Sequence, residues 1–176
     1  GAFAAELVRS RTLRRRYTPD RFSVAGVLQS MNTILHERQL EEYYCTLNYA
    51  LFDFKRHVLT MSNSGLPYPI RWSQGECTQI ELPGVPLGSF PGVEYDEVNI
   101  PLLAGDVFVF CTDGIFEALN EAGEEFGAAR AIEIVRETRG LSARQMTDAI
   151  FEAVIAFRGA ASQNDDMTAV AVKITA

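Results

Sequence analysis

The chain has 176 residues and a formal net charge of −7, and 47% of its residues are hydrophobic and 22% charged. This length is enough for one domain with a sizeable core, and the composition is that of a globular rather than a disordered protein. The acidic balance argues against a chain built as a whole to bind nucleic acid. No apolar run approaches the roughly 20 residues that cross a bilayer, and the start lacks the layout of a secretory signal, so we expect a cytoplasmic protein.

Two helices are predicted at the start of the chain. Residues 2–16 combine alanine, leucine, valine and arginine, which are all compatible with a helix. For the second helix, Ser23 can supply the N-cap, and Phe22 and Val27 can form a hydrophobic staple. Its apolar residues recur at steps of three and four, as in an amphipathic helix. They are Val24, Val27, Leu28, Met31, Ile34 and Leu35.

Five arginines crowd the first segment, in contrast to the acidic balance of the whole chain. A solvated helix face is the ordinary interpretation of such a cluster. Docking onto an acidic partner or a phosphorylated protein is the alternative, and nucleic-acid binding is less favoured because no aromatic residues are interleaved with the arginines. The arginines are Arg9, Arg11, Arg14, Arg15 and Arg16.

The middle of the chain has the pattern of strands. Residues 43–54 and 57–62 are predicted to pair as a hairpin, with Lys55 and Arg56 in a tight turn between them. Shorter strands follow, and a loop rich in glycine and proline separates them. The strands are predicted at residues 70–73, 77–82, 95–100 and 107–112, and the loop at residues 83–92.

The last third is predicted to hold two helices, residues 126–138 and 143–158, and a final strand, residues 167–174. Ser142 and Gln145 form the sequence pattern of a capping box for the second helix. Antiparallel sheets with helices laid against them fit this order of elements better than alternating βαβ units. Because residues 107–111 are apolar on both faces, that strand needs cover on each side. We therefore predict one α+β domain with a four-layer α-β-β-α sandwich of antiparallel sheets.

Asp113 is the first candidate for chemistry, because Thr112-Asp113-Gly114 ends the buried strand. A carboxylate there is fixed by a rigid element, and the glycine allows a sharp turn or a close approach of the backbone. Asp-Gly by itself is also a common turn, so the motif alone does not identify a site.

A second acidic pair, Asp165-Asp166, immediately precedes the last strand. Adjacent carboxylates repel each other unless they are solvated or share a cation, and a solvated loop is the ordinary interpretation. If the last strand lies antiparallel to residues 107–112, Asp165 comes next to Asp113. A site made of oxygen ligands suits Mg²⁺ or Mn²⁺ better than zinc.

The histidines and cysteines indicate no further site. His36 falls in a predicted helix and His57 at a hairpin, and neither has the partners of a catalytic triad. Cys45, Cys77 and Cys111 are an odd number without metal-ligand spacing. We expect them to be reduced and mostly buried thiols.

Taken in order, the motifs resemble those of the metal-dependent (PPM, protein phosphatase 2C-like) phosphatases. The resemblance is to the bacterial branch typified by the sporulation stage II protein E (SpoIIE) and by stress-response sigma-factor regulators. It covers nearly the whole chain. The matching runs are Phe110-Cys-Thr-Asp-Gly-Ile-Phe-Glu-Ala118, Gly123-Glu-Glu-Phe-Gly127 and Asn164-Asp-Asp-Met-Thr168, with support from Asn63-Ser-Gly65 and Val85-Pro-Leu-Gly-Ser-Phe-Pro-Gly92.

The resemblance implies a binuclear Mn²⁺ or Mg²⁺ site that hydrolyses phosphoserine or phosphothreonine on a protein. Asp113 and Asp165 match the family's metal aspartates, and Asp166 and Gly114 are further candidates as ligands or as residues beside them. The implied substrate is a phosphorylated anti-sigma-factor antagonist or a similar regulator. The resemblance also implies a sensor or receiver domain upstream in the parent chain, and it leaves a homodimer open.

Two departures from the family pattern bear on activity. Gly1-Ala-Phe-Ala-Ala5 resembles the tail of the family's first metal motif, so the leading aspartate and the first strands are expected to precede Gly1. Leu66 stands where many relatives have histidine. The alternative to an enzyme is therefore a catalytically inactive, phosphatase-like adaptor that binds a signalling partner, and a third option is a binding module built on the arginine-rich helix.

Overall fold

The computed structural model describes residues 22–37 and 44–175 of the chain. The predicted helix at residues 2–16, its arginines and the Gly1 motif lie outside these residues. The helices found within them are α1 (Val24–Glu37), α2 (Asp113–Phe116), α3 (Gly127–Thr138) and α4 (Ala143–Arg158). The strands are β1 (Leu47–Asp53), β2 (Val58–Ser64), β3 (Ile70–Ser73), β4 (Glu76–Gln79), β5 (Val98–Pro101), β6 (Val107–Cys111) and β7 (Ala169–Lys173).

The chain forms two compact units. Among the described residues, the first unit holds residues 22–37 and 44–66 together with Leu82–Leu102, and the second holds Pro67–Glu81 and residues 103–175. Each unit has its own sheet and its own hydrophobic core.

In the first unit, α1 packs against an antiparallel sheet with strand order β1-β2-β5. The predicted N-cap of α1 is confirmed, because the Gly26 amide donates a hydrogen bond of 3.0 Å to the Ser23 hydroxyl. Leu28 and Met31 on the predicted apolar stripe are fully buried. The predicted staple residue Phe22 packs its ring edge-on against Tyr49, with the centroids 6.4 Å apart.

The hairpin of the first unit differs from the predicted one at both ends. Asp53 pairs with Val58, so four residues rather than two connect the strands. Asp53 explains the longer turn, because its carboxylate accepts hydrogen bonds of 3.0 Å from the amides of Lys55 and Arg56. At the other end, β1 begins at Leu47, since Cys45 forms an isolated bridge with Leu87.

In the second unit, α3 and α4 pack on a four-stranded antiparallel sheet with the order β4-β3-β6-β7. The capping box of α4 is confirmed, because Ser142 and Gln145 exchange both hydrogen bonds. The predicted buried strand is β6, in which Val107, Phe108 and Val109 are at most 1% exposed. This strand gives the second unit a rigid centre.

The two antiparallel sheets with helices packed on them confirm the predicted α+β class. The cysteines are free thiols, as predicted, but only Cys111 is buried, whereas Cys45 and Cys77 are half-buried. Burial raises the pKa of the Cys111 thiol to about 12. Among the described residues, no helix has both the length and the apolar character that a membrane crossing requires.

A buried ion pair fixes the turn that leads into β6. Arg71 Nη2 donates to Asp106 Oδ2 at 2.8 Å, and the Asp106 side chain is only 2% exposed. The same carboxylate oxygen accepts a hydrogen bond from the Leu103 amide at 3.2 Å. A carboxylate this deeply buried needs its partners to compensate for the loss of water, so we expect the ion pair to stabilise the folded state.

We expect Asp106→Asn to lower the free energy of unfolding by roughly 2–3 kcal/mol, since it weakens a charged hydrogen bond of a partly buried guanidinium. The matched control is Asp148→Asn, which weakens a 3.5 Å ion pair with Arg144. The Asp148 side chain is 52% exposed and the Arg144 side chain is 87% exposed. That change should cost less than about 0.5 kcal/mol. Urea denaturation of both variants checks the difference, and equal losses would contradict it.

Candidate metal centre

Asp113 lies where the buried strand β6 ends and the chain turns. Thr112 keeps an extended backbone, with φ −78° and ψ 163°, and α2 begins at the next residue. The Glu117 amide donates to the Asp113 carbonyl at 2.8 Å, which closes this single helical turn. The Asp113 side chain is half-buried, and its Oδ1 accepts a hydrogen bond of 3.1 Å from the Gly114 amide. The rigid strand therefore fixes the position of this carboxylate, although the one-turn helix was not predicted.

Strand β7 lies antiparallel to β6, and Cys111 pairs with Ala169 in that register. This confirms that the last strand lies antiparallel to the buried strand, which is the condition for the predicted approach of Asp165 to Asp113. The residues just before β7 therefore pass beside those just after β6.

Thr112 joins the two segments through three hydrogen bonds. Its amide donates to the Thr168 carbonyl at 3.0 Å, and the Thr168 amide donates to the Thr112 hydroxyl at 2.9 Å. The hydroxyl itself donates to the Asp166 carbonyl at 3.2 Å. The end of β6 and the entrance to β7 are thus held as one structural element.

Gly114 allows the two segments to approach closely. A Cβ atom at Gly114 would lie 2.4 Å from the Asp166 carbonyl oxygen and 3.4 Å from the Asp165 carbonyl carbon. Real side chains do not tolerate the first distance. Gly114 therefore has a steric role here, and the backbone that carries Asp165 passes directly against the helix turn that carries Asp113.

Asp165 and Asp166 differ in what they contact. The Asp165 side chain is exposed, and its Oδ1 accepts a hydrogen bond of 2.7 Å from the Asp166 amide. Gln163 Nε2 donates to the Asp165 carbonyl at 2.8 Å. Asp166 contacts Thr112 through its carbonyl oxygen, while its side chain is exposed.

The two carboxylates fit part of a site for a hard divalent cation. They offer oxygen ligands at the joined ends of two paired strands. Each carboxylate accepts one observed hydrogen bond, which leaves further lone pairs that can bind a cation. Across residues 22–37 and 44–175, no group of three or more histidine, cysteine, aspartate or glutamate side chains is arranged to hold a metal. Asp113 and Asp165 can therefore supply two ligands, and water or other residues must supply the rest.

A cavity of about 220 Å³ opens beside this centre. Gly114 and Asp165 line it, and so do Glu117, Glu125 and Arg158, none of which we predicted as site residues. Glu117 could have been found, because it lies four residues after Asp113 and one helical turn brings such residues to the same face. Arg158 ends a helix 45 positions further on, and no local pattern connects it to Asp113.

The histidines lie apart from this group along the chain. His36 is in α1, and His57 is in the β1–β2 turn with φ +52°. Both belong to the first unit, where His36 is half-buried and His57 is exposed. Leu66 follows the turn after β2, where its amide donates to the side-chain oxygen of the buried Asn63 at 3.1 Å.

Two curated proteins from Bacillus subtilis (strain 168) are similar to the chain. Stage II sporulation protein E is 25% identical over 150 residues, which is 84% of this chain and 17% of that protein. Phosphoserine phosphatase RsbU is 24% identical over 151 residues, which is 84% of this chain and 44% of that protein. The chain thus spans less than half the length of either relative.

Solved structures give the same fold. The RsbU and RsbW domains of Rv1364c from Mycobacterium tuberculosis match with a TM-score of 0.79 and 19% identity, over 99% of this chain and 47% of that one. The SiaA-PP2C domain of Pseudomonas aeruginosa matches with a TM-score of 0.78 and 18% identity, over 98% of this chain and 66% of that one. The catalytic domain of the serine/threonine protein phosphatase PstP, in complex with two manganese ions, matches with a TM-score of 0.67 and 17% identity. The match covers 100% of this chain and 82% of that one.

The family model for Stage II sporulation protein E (SpoIIE) matches residues 3–175, which is nearly the whole chain. The predicted resemblance of the chain to this branch is therefore confirmed. The chain belongs to the SpoIIE family and has the fold of PP2C phosphatases.

Proposed function

We propose that this chain is the phosphatase domain of a metal-dependent serine/threonine protein phosphatase. The observation that carries the proposal is the close contact between the segments of Asp113 and Asp165. Thr112 forms hydrogen bonds between the two segments, and Gly114 has no side chain that would keep them apart. One relative is named a phosphoserine phosphatase, and one structural neighbour binds two manganese ions. Asp113 and Asp165 are the residues we assign to hold Mn²⁺ or Mg²⁺.

The reaction is hydrolysis of a phosphate monoester. A water oxygen forms a bond to phosphorus and that water gives up a proton, while the bond from phosphorus to the serine or threonine oxygen breaks and this oxygen takes up a proton. Divalent cations held by Asp113 and Asp165 would supply a water of lowered pKa and would neutralise charge on the phosphoryl group. The chain's own contribution is to fix two negative ligands on a rigid strand pair and to offer a cavity beside them.

The proposed substrate is a phosphorylated anti-sigma-factor antagonist or a similar small regulator. Support comes from the relative RsbU and from the neighbour in which an RsbU and an RsbW domain occur in one protein. The proposal includes a sensor or receiver domain elsewhere in the parent chain and a cytoplasmic site of action, where a regulator of transcription would work.

The test is phosphate release by the full-length protein that contains this chain, with a phosphoserine peptide and with p-nitrophenyl phosphate. We expect release with Mn²⁺, a loss on the order of 100-fold or more after chelation, and recovery when Mn²⁺ is restored. A phosphotyrosine peptide serves as the control substrate. Unchanged release after chelation would contradict a metal-dependent enzyme. Binding of a phosphorylated regulator without any release would favour the adaptor.

A further inference from the structure

The segment between α2 and α3 forms a small, well-bonded hairpin over residues 119–125. Leu119 and Glu125 form a bridge across its base, and the Asn120 amide donates to the Glu124 carbonyl at 3.0 Å. The Asn120 side-chain oxygen accepts hydrogen bonds from the amides of Ala122 and Glu124, at 3.0 and 2.9 Å. Because these bonds fix the turn, the side chain at its tip has a defined direction.

The residue at this tip is Glu121, and its carboxylate contacts the chain immediately after α4. Glu121 Oε1 accepts a hydrogen bond of 2.8 Å from the Ala160 amide. Gly159 leaves room for it, since a Cβ atom at that position would lie 2.6 Å from the same oxygen. Gly159 also has φ +58° and ψ −124°, which a residue with a side chain rarely adopts.

The segment that Glu121 holds is the loop that carries Asp165. Its first residues are also held by Arg158 Nη2, which donates to the Ala161 carbonyl at 2.8 Å. Its last residues are held by Thr112, as described above, and Gln163 contacts the Asp165 carbonyl. Glu121 therefore connects the hairpin that follows Asp113 to the start of the Asp165 loop.

We propose that Glu121 is a positioning residue for the metal centre, acting through the Ala160 amide to hold the loop of Asp165 in place. The inference rests on the proposed function. Glu121 is exposed, so its hydrogen bond is expected to contribute little to global stability. Its effect should lie in the order of the loop, because ligands bind a metal well only when neighbouring bonds fix their orientation.

Three variants of the full-length protein test this proposal, each titrated with Mn²⁺ by calorimetry and assayed with p-nitrophenyl phosphate. Glu121→Ala should weaken Mn²⁺ binding roughly 10-fold. At saturating Mn²⁺ it should leave KM for p-nitrophenyl phosphate unchanged. Glu121→Gln should bind Mn²⁺ like the wild type, because its amide oxygen can accept the same hydrogen bond. Glu152→Ala removes an exposed carboxylate from α4 and serves as the matched control.

Wild-type Mn²⁺ affinity in Glu121→Ala would overturn the role of Glu121 and leave the proposed phosphatase standing. Equal weakening in Glu121→Gln and Glu121→Ala would overturn the hydrogen bond as the cause. A wild-type protein that neither binds Mn²⁺ nor releases phosphate would overturn the proposed function, and the positioning role with it. Because Mn²⁺ binding is measured without turnover, these failures are distinguishable.

Discussion

Replacing Asp113 with asparagine is expected to lower Mn²⁺-dependent kcat by on the order of 100- to 1000-fold. A metal ion contributes several kcal/mol to stabilising the charge of a phosphoryl transition state, and each 1.4 kcal/mol corresponds to about a factor of ten in rate. An amide is a neutral and weaker ligand than a carboxylate, so most of that contribution should be lost. Phosphate release at saturating Mn²⁺ is the measurement.

The matched control for this experiment is Asp148→Asn, which removes an exposed carboxylate from α4 without touching any residue of the candidate metal centre. We expect this variant to retain kcat within a few-fold of the wild type. Full activity in Asp113→Asn, with a circular dichroism spectrum like that of the wild type, would show that Asp113 holds no catalytic metal.

Gly114→Ala is expected to reduce activity by on the order of 100-fold while both aspartates remain in the chain. The new methyl group would lie 2.4 Å from the Asp166 carbonyl oxygen, so the backbone that leads to Asp165 must move. A misplacement of about 1 Å at a reacting centre can cost a factor of 100 in rate. Because the clash is with backbone, we also expect a loss of about 1–3 kcal/mol in the free energy of unfolding.

Gly140→Ala is the control for this substitution. A Cβ atom there meets no heavy atom within 4 Å, and its φ lies outside the left-handed region. Its kcat and unfolding midpoint should match those of the wild type. If Gly114→Ala binds Mn²⁺ and turns over as well as Gly140→Ala, the close approach of the two segments has no importance for the site.

Elements whose signals are local could be predicted from the sequence. The helix predicted at residues 143–158 has those bounds because Ser142 caps it and its apolar stripe is regular. The buried strand β6 was predicted because it is apolar on both faces. The strand predicted at residues 43–54 was too long, since Cys45 pairs with Leu87 and no pattern near Cys45 indicates that partner.

The site was predictable only where it follows from strand pairing. Once β7 lies beside β6, the positions of Asp113 and Asp165 at one end follow from the register. The hydrogen bonds around the candidate site join residues far apart in sequence, such as Thr112 with Asp166 and Glu121 with Ala160. The helix α2 was not predicted because it has only four residues, and a helical pattern of apolar residues cannot be recognised over so short a segment.

The most direct measurement of the central claim is calorimetric titration of Mn²⁺ into the full-length wild type, Asp113→Asn and Asp165→Asn. If both carboxylates hold the metal, each substitution alone should weaken Mn²⁺ binding by on the order of 10-fold or more. Wild-type Mn²⁺ affinity in both folded variants would contradict the assignment of Asp113 and Asp165 as metal ligands.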